Sequence, residues 1–206
     1  AAVPNRPLLG FSDATAFLVA YAAAGGRALH ASMVATDLAR GGAPRTWESL
    51  ERLVFSPAAP AADEFLFDGV ACGRVDALRG RILAGNLAVL AAMAGTPSFP
   101  SGEGRVICLE EVKEEPYRVD RTLTQLRNAG LFRGATGILF GSMTECLAED
   151  PEKSVTVEEV LQSFARDLDL PAVMGLPFGH GGVNTVLPLD GMIEVAPAGD
   201  RWQATV

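Results

Sequence analysis

The sequence contains only two histidines, three cysteines and few aromatic residues. Cys72, Cys108 and Cys146 stand far apart and form no C-x-x-C pair, so we expect reduced thiols that fill the core. The histidines, His30 and His180, are also far apart, and no H-x-x-x-H pair is present. This is a poor ligand set, so we expect no bound metal, no cofactor and no sensitivity to chelators.

The sequence also lacks any run of Lys or Arg and any uninterrupted apolar stretch of about 18 residues. With 25 acidic against 17 basic residues, the formal net charge is −8. Nucleic-acid binding and a membrane-spanning helix are therefore not expected. What is present is a 206-residue chain that is 49% hydrophobic, enough for one large or two small domains with a real core. We expect this protein to be cytoplasmic.

Short apolar runs alternate with helical patterns along the whole chain, and no internal repeat is visible. This alternation predicts an α/β fold, with one lobe over residues 1–55, a linker over 56–80 that includes the loop SPAAPAAD, and a mixed α/β lobe over 81–206. The predicted strands are 7–11, 28–33, 105–112, 137–141 and 172–174, followed by a C-terminal hairpin. The predicted helices are 13–24, 46–53, 87–94, 119–129 and one after a capping box formed by Thr156 and Glu159. Residues 81–86 are predicted to approach a turn.

The segment RPLLGFSDATAF places Ser12 between an apolar strand and an alanine-rich helix. Such a turn exposes the hydroxyl, and the free N–H groups at the start of the helix suit a developing oxyanion. The pattern is close to the G-x-S-x-G nucleophile elbow, with Ala14 in place of the second glycine. The alternative is that Ser12 is an ordinary helix cap.

A nucleophilic serine needs a base, and the base needs a carboxylate that fixes its tautomer. His180 lies in the glycine-rich segment LPFGHGGVNT, whereas His30 lies in an apolar run and is either a core residue or a pocket wall. Glu110 and Glu111 end the apolar strand VICLEEV. Because neighbouring strand residues point to opposite faces, at most one of these two glutamates can orient the histidine.

Four segments together resemble the LD-carboxypeptidase family, which includes serine peptidases and the microcin-immunity hydrolases. They are LLGFSDATAF, LAGNLAVLAAMAGTP, ICLEEVKEEPYRVDRTLTQLRNAGLFRGATGILFGSMTEC and PAVMGLPFGHGGVNTVLPLDG. The resemblance covers nearly the whole chain. It implies a Rossmann-like N-terminal lobe, of which this chain holds only the downstream part, and a β-rich mixed α/β C-terminal lobe.

The resemblance also implies roles and a reaction. Ser12 would be the nucleophile, Glu110 would orient the base, and His180 would be general base and then general acid. The backbone N–H of Asp13 would contribute to the oxyanion hole. The implied reaction cleaves the amide before a C-terminal D-amino acid, typically releasing D-alanine from murein tetrapeptide during cytoplasmic recycling. A homo-oligomer, commonly a dimer, is expected.

Members of the family carry a further segment before the serine motif, with a glycine-rich loop that donates the other oxyanion-hole N–H. We expect this segment to come from a second chain or to lie outside these 206 residues. The substrate carboxylate needs a cation, and Arg118 and Arg121 are candidates, although both also suit a helix turn paired with nearby acids. Asn86 is a candidate for steadying the site, or is simply a turn residue.

Two alternatives remain open. A microcin-immunity-type hydrolase would cleave aminoacyl or peptidyl adenylate analogues, and we expect it to need an aromatic ring that stacks on adenine. The only tryptophans, Trp47 and Trp202, lie outside the four segments. The second alternative belongs to another class: a catalytically silent fragment or binding subunit.

Overall fold

The computed structural model describes residues 6–55, 62–73 and 77–206. In chain order the main elements are β1 (Leu8–Gly10), α1 (Thr15–Ala23), β2 (Ala28–His30), α2 (Pro44–Leu50), β3 (Glu64–Phe67), β4 (Val70–Gly73), β5 (Leu78–Asn86), α3 (Leu87–Ala92), β6 (Arg105–Val112), α4 (Pro116–Ala129), β7 (Gly137–Thr144), α5 (Val157–Leu168), β8 (Pro171–Met174), β9 (Leu187–Pro188), β10 (Met192–Ala198) and β11 (Arg201–Thr205). Short 3-10 or π-helical turns lie at Ser12–Ala14, Val34–Leu38, Glu51–Phe55 and Pro151–Lys153.

The strands form two mixed sheets. The smaller sheet has the order β1-β2-β9, in which β1 and β2 are parallel and β9 is antiparallel to β2. The larger sheet has the order β3-β11-β10-β5-β6-β7-β8-β4, and its central strands β5 to β8 run parallel. The fold is therefore α/β, as predicted, with a β-rich C-terminal part that ends in the predicted hairpin of β10 and β11.

The core lies where the parallel strands meet the helices. Strand β6 is an apolar run with alternating side chains, and the buried face of α4 carries Val119, Leu123 and Leu126 at helical spacing. Helix α5 begins at the predicted capping box, because Thr156 and Glu159 each accept a hydrogen bond from the other's backbone N–H. None of the helices in the described segments combines the length and apolar character that a membrane crossing requires.

The prediction of a turn approach at 81–86 was wrong, because these residues form the second half of β5. The glycine of this segment, Gly85, has a tertiary reason instead, and so does Gly80 just before the segment. A Cβ at Gly80 would lie 2.5 Å from Thr136 Oγ1, and a Cβ at Gly85 would lie 2.4 Å from Thr15 Cγ2. Both glycines are therefore places where neighbouring elements approach the strand closely.

The predicted domain boundaries, 1–55, 56–80 and 81–206, stay predictions. Residues 56–61 of the predicted loop SPAAPAAD lie outside the described residues. So do residues 74–76 of the predicted linker. Strands β3 and β4 lie in the range predicted as a linker, and both pair within the larger sheet. Strand β9 belongs to the later part of the chain but completes the sheet of the first lobe.

The two sheets meet near the carboxyl ends of β5 and β6. The backbone N–H of Asn86, at the end of β5, donates a hydrogen bond to Thr15 Oγ1 at the start of α1. Asn86 is also paired in register with Glu110 on β6. The turn that follows β1 therefore lies beside the ends of two parallel strands, which is where open α/β sheets commonly place their binding sites.

Candidate active site

Ser12 begins the 3-10 turn that joins β1 to α1, and its φ angle is +60°. A non-glycine residue with positive φ is strained, and such strain is typical of an exposed nucleophile on a sharp strand-to-helix turn. A Cβ at Gly10 would lie only 2.9 Å from Ala14 Cβ, so the turn leaves no room for a side chain there. Asp13 lies in the first turn, where backbone N–H groups have no partner within the helix.

His180 is held by the loop between β8 and β9. The peptide of Gly179 approaches β6 so closely that a Cβ would lie 2.6 Å from Glu110 Cβ, and its φ is +99°. Glycine is therefore required immediately before the histidine. The ring of Phe11 packs on the imidazole at 4.7 Å between centroids. These contacts hold the ring against the end of β6.

The three residues predicted as a triad come together. His180 Nδ1 lies 2.6 Å from Glu110 Oε2, and His180 Nε2 lies 3.2 Å from Ser12 Oγ. The backbone N–H of His180 also donates to Glu110 Oε2, at 3.3 Å. Glu110 is fully buried, while the side chain of His180 keeps 19% of its surface exposed. Chemically, this arrangement can move a proton from the hydroxyl to an imidazole whose tautomer the carboxylate fixes.

Glu111 points to the opposite face of β6 and binds the start of α3. Its Oε1 accepts hydrogen bonds from Asn86 Nδ2 and from the N–H of Val112, and its Oε2 accepts one from the N–H of Ala88. Burial raises the pKa of the Glu111 carboxyl above its ordinary value, although these hydrogen bonds oppose the shift. The Asn86 amide is fully engaged here, since its Oδ1 caps α3 at the N–H of Val89.

Arg118 and Arg121, the predicted carboxylate readers, lie on the first turns of α4. The guanidinium groups of both approach the ring of Tyr117, at 5.7 and 5.9 Å from its centroid. Arg118 also forms an ion pair with Glu114 and a hydrogen bond with the Tyr117 hydroxyl. These contacts lie at the start of α4, and none of them involves a triad residue.

His30 is a core residue, one of the two readings that the sequence left open. It has no exposed surface, and its ring lies edge-on to Phe178 and Phe11. Neither ring nitrogen has a hydrogen-bond partner among the described residues. Burial lowers the pKa of His30 to about 4, partly offset by the charge of Glu110. His30 is therefore neutral at physiological pH and adds no charge beside the triad.

Sequence reasoning missed the residues that hold the His180 loop. Ser142 Oγ donates to the carbonyl of Phe178 and accepts from the N–H of Gly181, and Asn184 Oδ1 accepts from the N–H of Gly179. Only the asparagine in the segment GHGGVN could have suggested such a role, because asparagine often bonds to nearby backbone groups in turns. Within residues 6–55, 62–73 and 77–206, no three His, Cys, Asp or Glu side chains form a group suited to a metal ion.

Comparison with known proteins gives one family match. The model of the LD-carboxypeptidase C-terminal domain matches residues 79–195. These residues include Glu110, His180 and the strands on which both depend.

Individual relatives agree with the family match. The protein slr1534 of Synechocystis, whose name places it among the carboxypeptidases, is 38% identical over 190 residues, which are 91% of this chain and 60% of that protein. The murein tetrapeptide carboxypeptidase of Pseudomonas aeruginosa is 34% identical over 198 residues, covering 91% of this chain and 62% of that protein. This chain thus spans about three fifths of these relatives.

Among solved structures, the muramoyltetrapeptide carboxypeptidase of Oxalobacter formigenes superposes with a TM-score of 0.83 at 28% identity. The superposition covers 96% of this chain and 66% of that one.

Proposed function

Because this chain belongs to the LD-carboxypeptidase family, we propose that it forms the catalytic part of a serine carboxypeptidase that removes a C-terminal D-amino acid from a murein peptide. The observation that carries this proposal is the position of His180, within hydrogen-bond distance of both Ser12 and Glu110. A helix cap alone would need neither partner.

In the proposed mechanism, Ser12 Oγ attacks the carbonyl carbon of the scissile amide while His180 Nε2 accepts its proton. Glu110 Oε2 accepts a hydrogen bond from Nδ1–H and stabilises the imidazolium that forms. The backbone N–H of Asp13 donates to the tetrahedral oxyanion. His180 then returns the proton to the leaving nitrogen, the C–N bond breaks, and water hydrolyses the acyl-enzyme by the same route in reverse.

Burial strengthens this arrangement. Glu110 has no exposed surface, so its attraction for an imidazolium is screened far less than it would be in water. The strained turn at Ser12 holds the hydroxyl at one end of the imidazole, and the backbone N–H of His180 donates to the carboxylate at the other. Little reorganisation is then needed when the proton moves, which is the physical basis of electrostatic preorganisation.

The remaining expectations about the whole enzyme are also proposals. We propose that a further N-terminal segment, in the same or a second polypeptide, supplies the other oxyanion-hole donor, that the enzyme is a homodimer, and that it acts in the cytoplasm on murein peptides. Loss of a single oxyanion-hole donor costs about 10²–10³ in kcat, so the segment is important for the rate.

The test is an assay for free D-alanine after incubation with a murein tetrapeptide, with the isomer ending in L-alanine as the matched control. We expect release from the first substrate alone. Ser12→Ala should reduce the rate by about 10³-fold or more, since the nucleophile is lost.

Other outcomes separate the alternatives. If Ser12→Ala retains the wild-type rate, Ser12 is not the nucleophile. Preference of the wild type for an aminoacyl-adenylate analogue would favour the microcin-immunity type of hydrolase. Absence of turnover with either substrate would favour a silent binding subunit.

A further inference from the structure

A cleft of about 290 Å³ opens directly beside the loop of His180. Its walls include Arg40, Thr46, Asn184 and the consecutive glycines Gly181 and Gly182. Gly181 follows His180 in the chain, so the cleft begins one residue from the proposed general base. A Cβ at Gly182 would meet nothing within 4 Å, and the φ angle of Gly182 lies outside the left-handed region. The backbone conformation therefore does not require glycine here, and the absence of a side chain leaves space for a ligand.

Two polar groups of this cleft, the Arg40 guanidinium and Asn184 Nδ2, lack partners among the described residues. Among the described residues, Arg40 forms no ion pair and no hydrogen bond, although the chain carries a net charge of −8. Asn184 is only 3% exposed, and its Nδ2 has no hydrogen-bond partner there. None of the described residues that line the cleft carries a carboxylate. A guanidinium together with an unpaired amide donor suits an anion, because burying an unpaired donor costs free energy that a ligand can recover.

The wall that carries Asn184 is fixed by hydrogen bonds that its backbone donates to α2. The N–H of Asn184 donates to Thr46 Oγ1, and the N–H of Val186 donates to Ser49 Oγ. Both hydroxyl-bearing residues are buried. The side-chain oxygen of Asn184, Oδ1, also accepts a hydrogen bond from the N–H of Gly179. Asn184 is therefore fixed twice: its backbone bonds to α2, and its side chain bonds to the residue that precedes His180. The position of the cleft relative to the imidazole is therefore set by the fold.

We propose that this cleft binds the C-terminal carboxylate of the peptide substrate, with Arg40 as its charged partner and Asn184 Nδ2 as a hydrogen-bond donor. The inference rests on the proposed carboxypeptidase function. In a C-terminal residue the carboxylate carbon is two bonds from the leaving nitrogen, about 2.5 Å away. His180 must reach that nitrogen, at about 3 Å, to return the proton. The carboxylate must therefore lie within a few ångströms of the His180 loop, where this cleft opens.

The test compares two substrates that differ only at the end of the chain: a murein tetrapeptide ending in D-alanine and the same peptide ending in D-alaninamide. We expect the wild type to prefer the free acid. Arg40→Gln should lower kcat/KM for the acid about 10- to 100-fold, mainly through KM, because one charge-assisted interaction is lost. The rate with the amide should fall much less, because a neutral carboxamide gains little from the charge, and Arg40→Lys should restore part of the preference.

Arg79→Gln is the matched control, because Arg79 is another exposed arginine, at the opposite end of β5, where it pairs with Glu194. We expect this variant to behave as the wild type with both substrates. If Arg40→Gln keeps the full preference for the free acid, the inference is wrong while the proposed function stands. If the wild type cleaves neither peptide, the proposed function itself fails.

Discussion

The two faces at the end of β6 carry neighbouring carboxylates in contrasting surroundings. Glu110 and Glu111 are both buried, at 0% and 3% exposure, so solvation does not distinguish them. Glu110 faces His180 and keeps one oxygen, Oε1, without a partner among the described residues. Glu111 faces α3 and uses both oxygens on three hydrogen bonds. The alternation of a strand thus directs one carboxylate to the imidazole and its neighbour to the backbone at the start of a helix.

The sharpest test of this contrast is a pair of substitutions. Glu110→Gln should lower kcat about 10²- to 10⁴-fold with little change in stability, because the amide no longer stabilises the imidazolium or fixes its tautomer. Glu111→Gln should keep kcat within about 10-fold but lower the free energy of unfolding by about 1–3 kcal/mol, since one oxygen cannot serve three donors. Rates of D-alanine release and urea denaturation measure the two effects. The opposite pattern would assign the orienting role to Glu111.

His30 lies on the Glu110 side of the strand, where Glu110 and His180 are the titratable groups that act on it. The unfolded imidazole binds a proton as the pH falls through 6.5, whereas the buried one does so only near pH 4. The wild type therefore loses stability over this window, by about 2 kcal/mol between pH 7 and pH 5. Phenylalanine suits the aromatic surroundings and cannot bind a proton. The free energy of unfolding of His30→Phe should therefore not fall by this amount between pH 7 and pH 5.

Urea denaturation of wild type and His30→Phe at both pH values measures the difference. His180→Gln is the control, because it removes the other histidine from a partly exposed site. Equal pH dependence in wild type and His30→Phe would show that His30 is not held neutral by burial.

The smallest expected effect concerns Cys108, which lies two residues before Glu110 and so belongs to the same face of β6. Burial raises the pKa of its thiol, and it raises the pKa of Cys72 to about 12. Neither thiol should react with iodoacetamide in the native protein, and the rate of D-alanine release should not change. Mass spectrometry should find alkylation only after unfolding in urea. Rapid native labelling with loss of activity would indicate cysteine chemistry near the site.

Local pattern was sufficient for several parts of the fold and of the candidate site. The alternation in VICLEEV places the two glutamates on opposite faces, and the capping box marks the start of α5. Both follow from interactions within a few residues. The segment 81–86 was misjudged because its glycine, Gly85, makes room for Thr15, which is distant in the chain. Similarly, no local signal indicates that β9 pairs with β2.

By itself, the sequence determined the family, the α/β class and the residue types able to support a serine mechanism. The tertiary structure decided which groups meet: His180 contacts Glu110 across 70 positions of the chain and Ser12 across 168. It also brought Arg40 beside the loop that carries the imidazole. The reason is physical, because hydrogen bonds act over about 3 Å. Spacing along a chain cannot specify such distances until packing has fixed where the strands end.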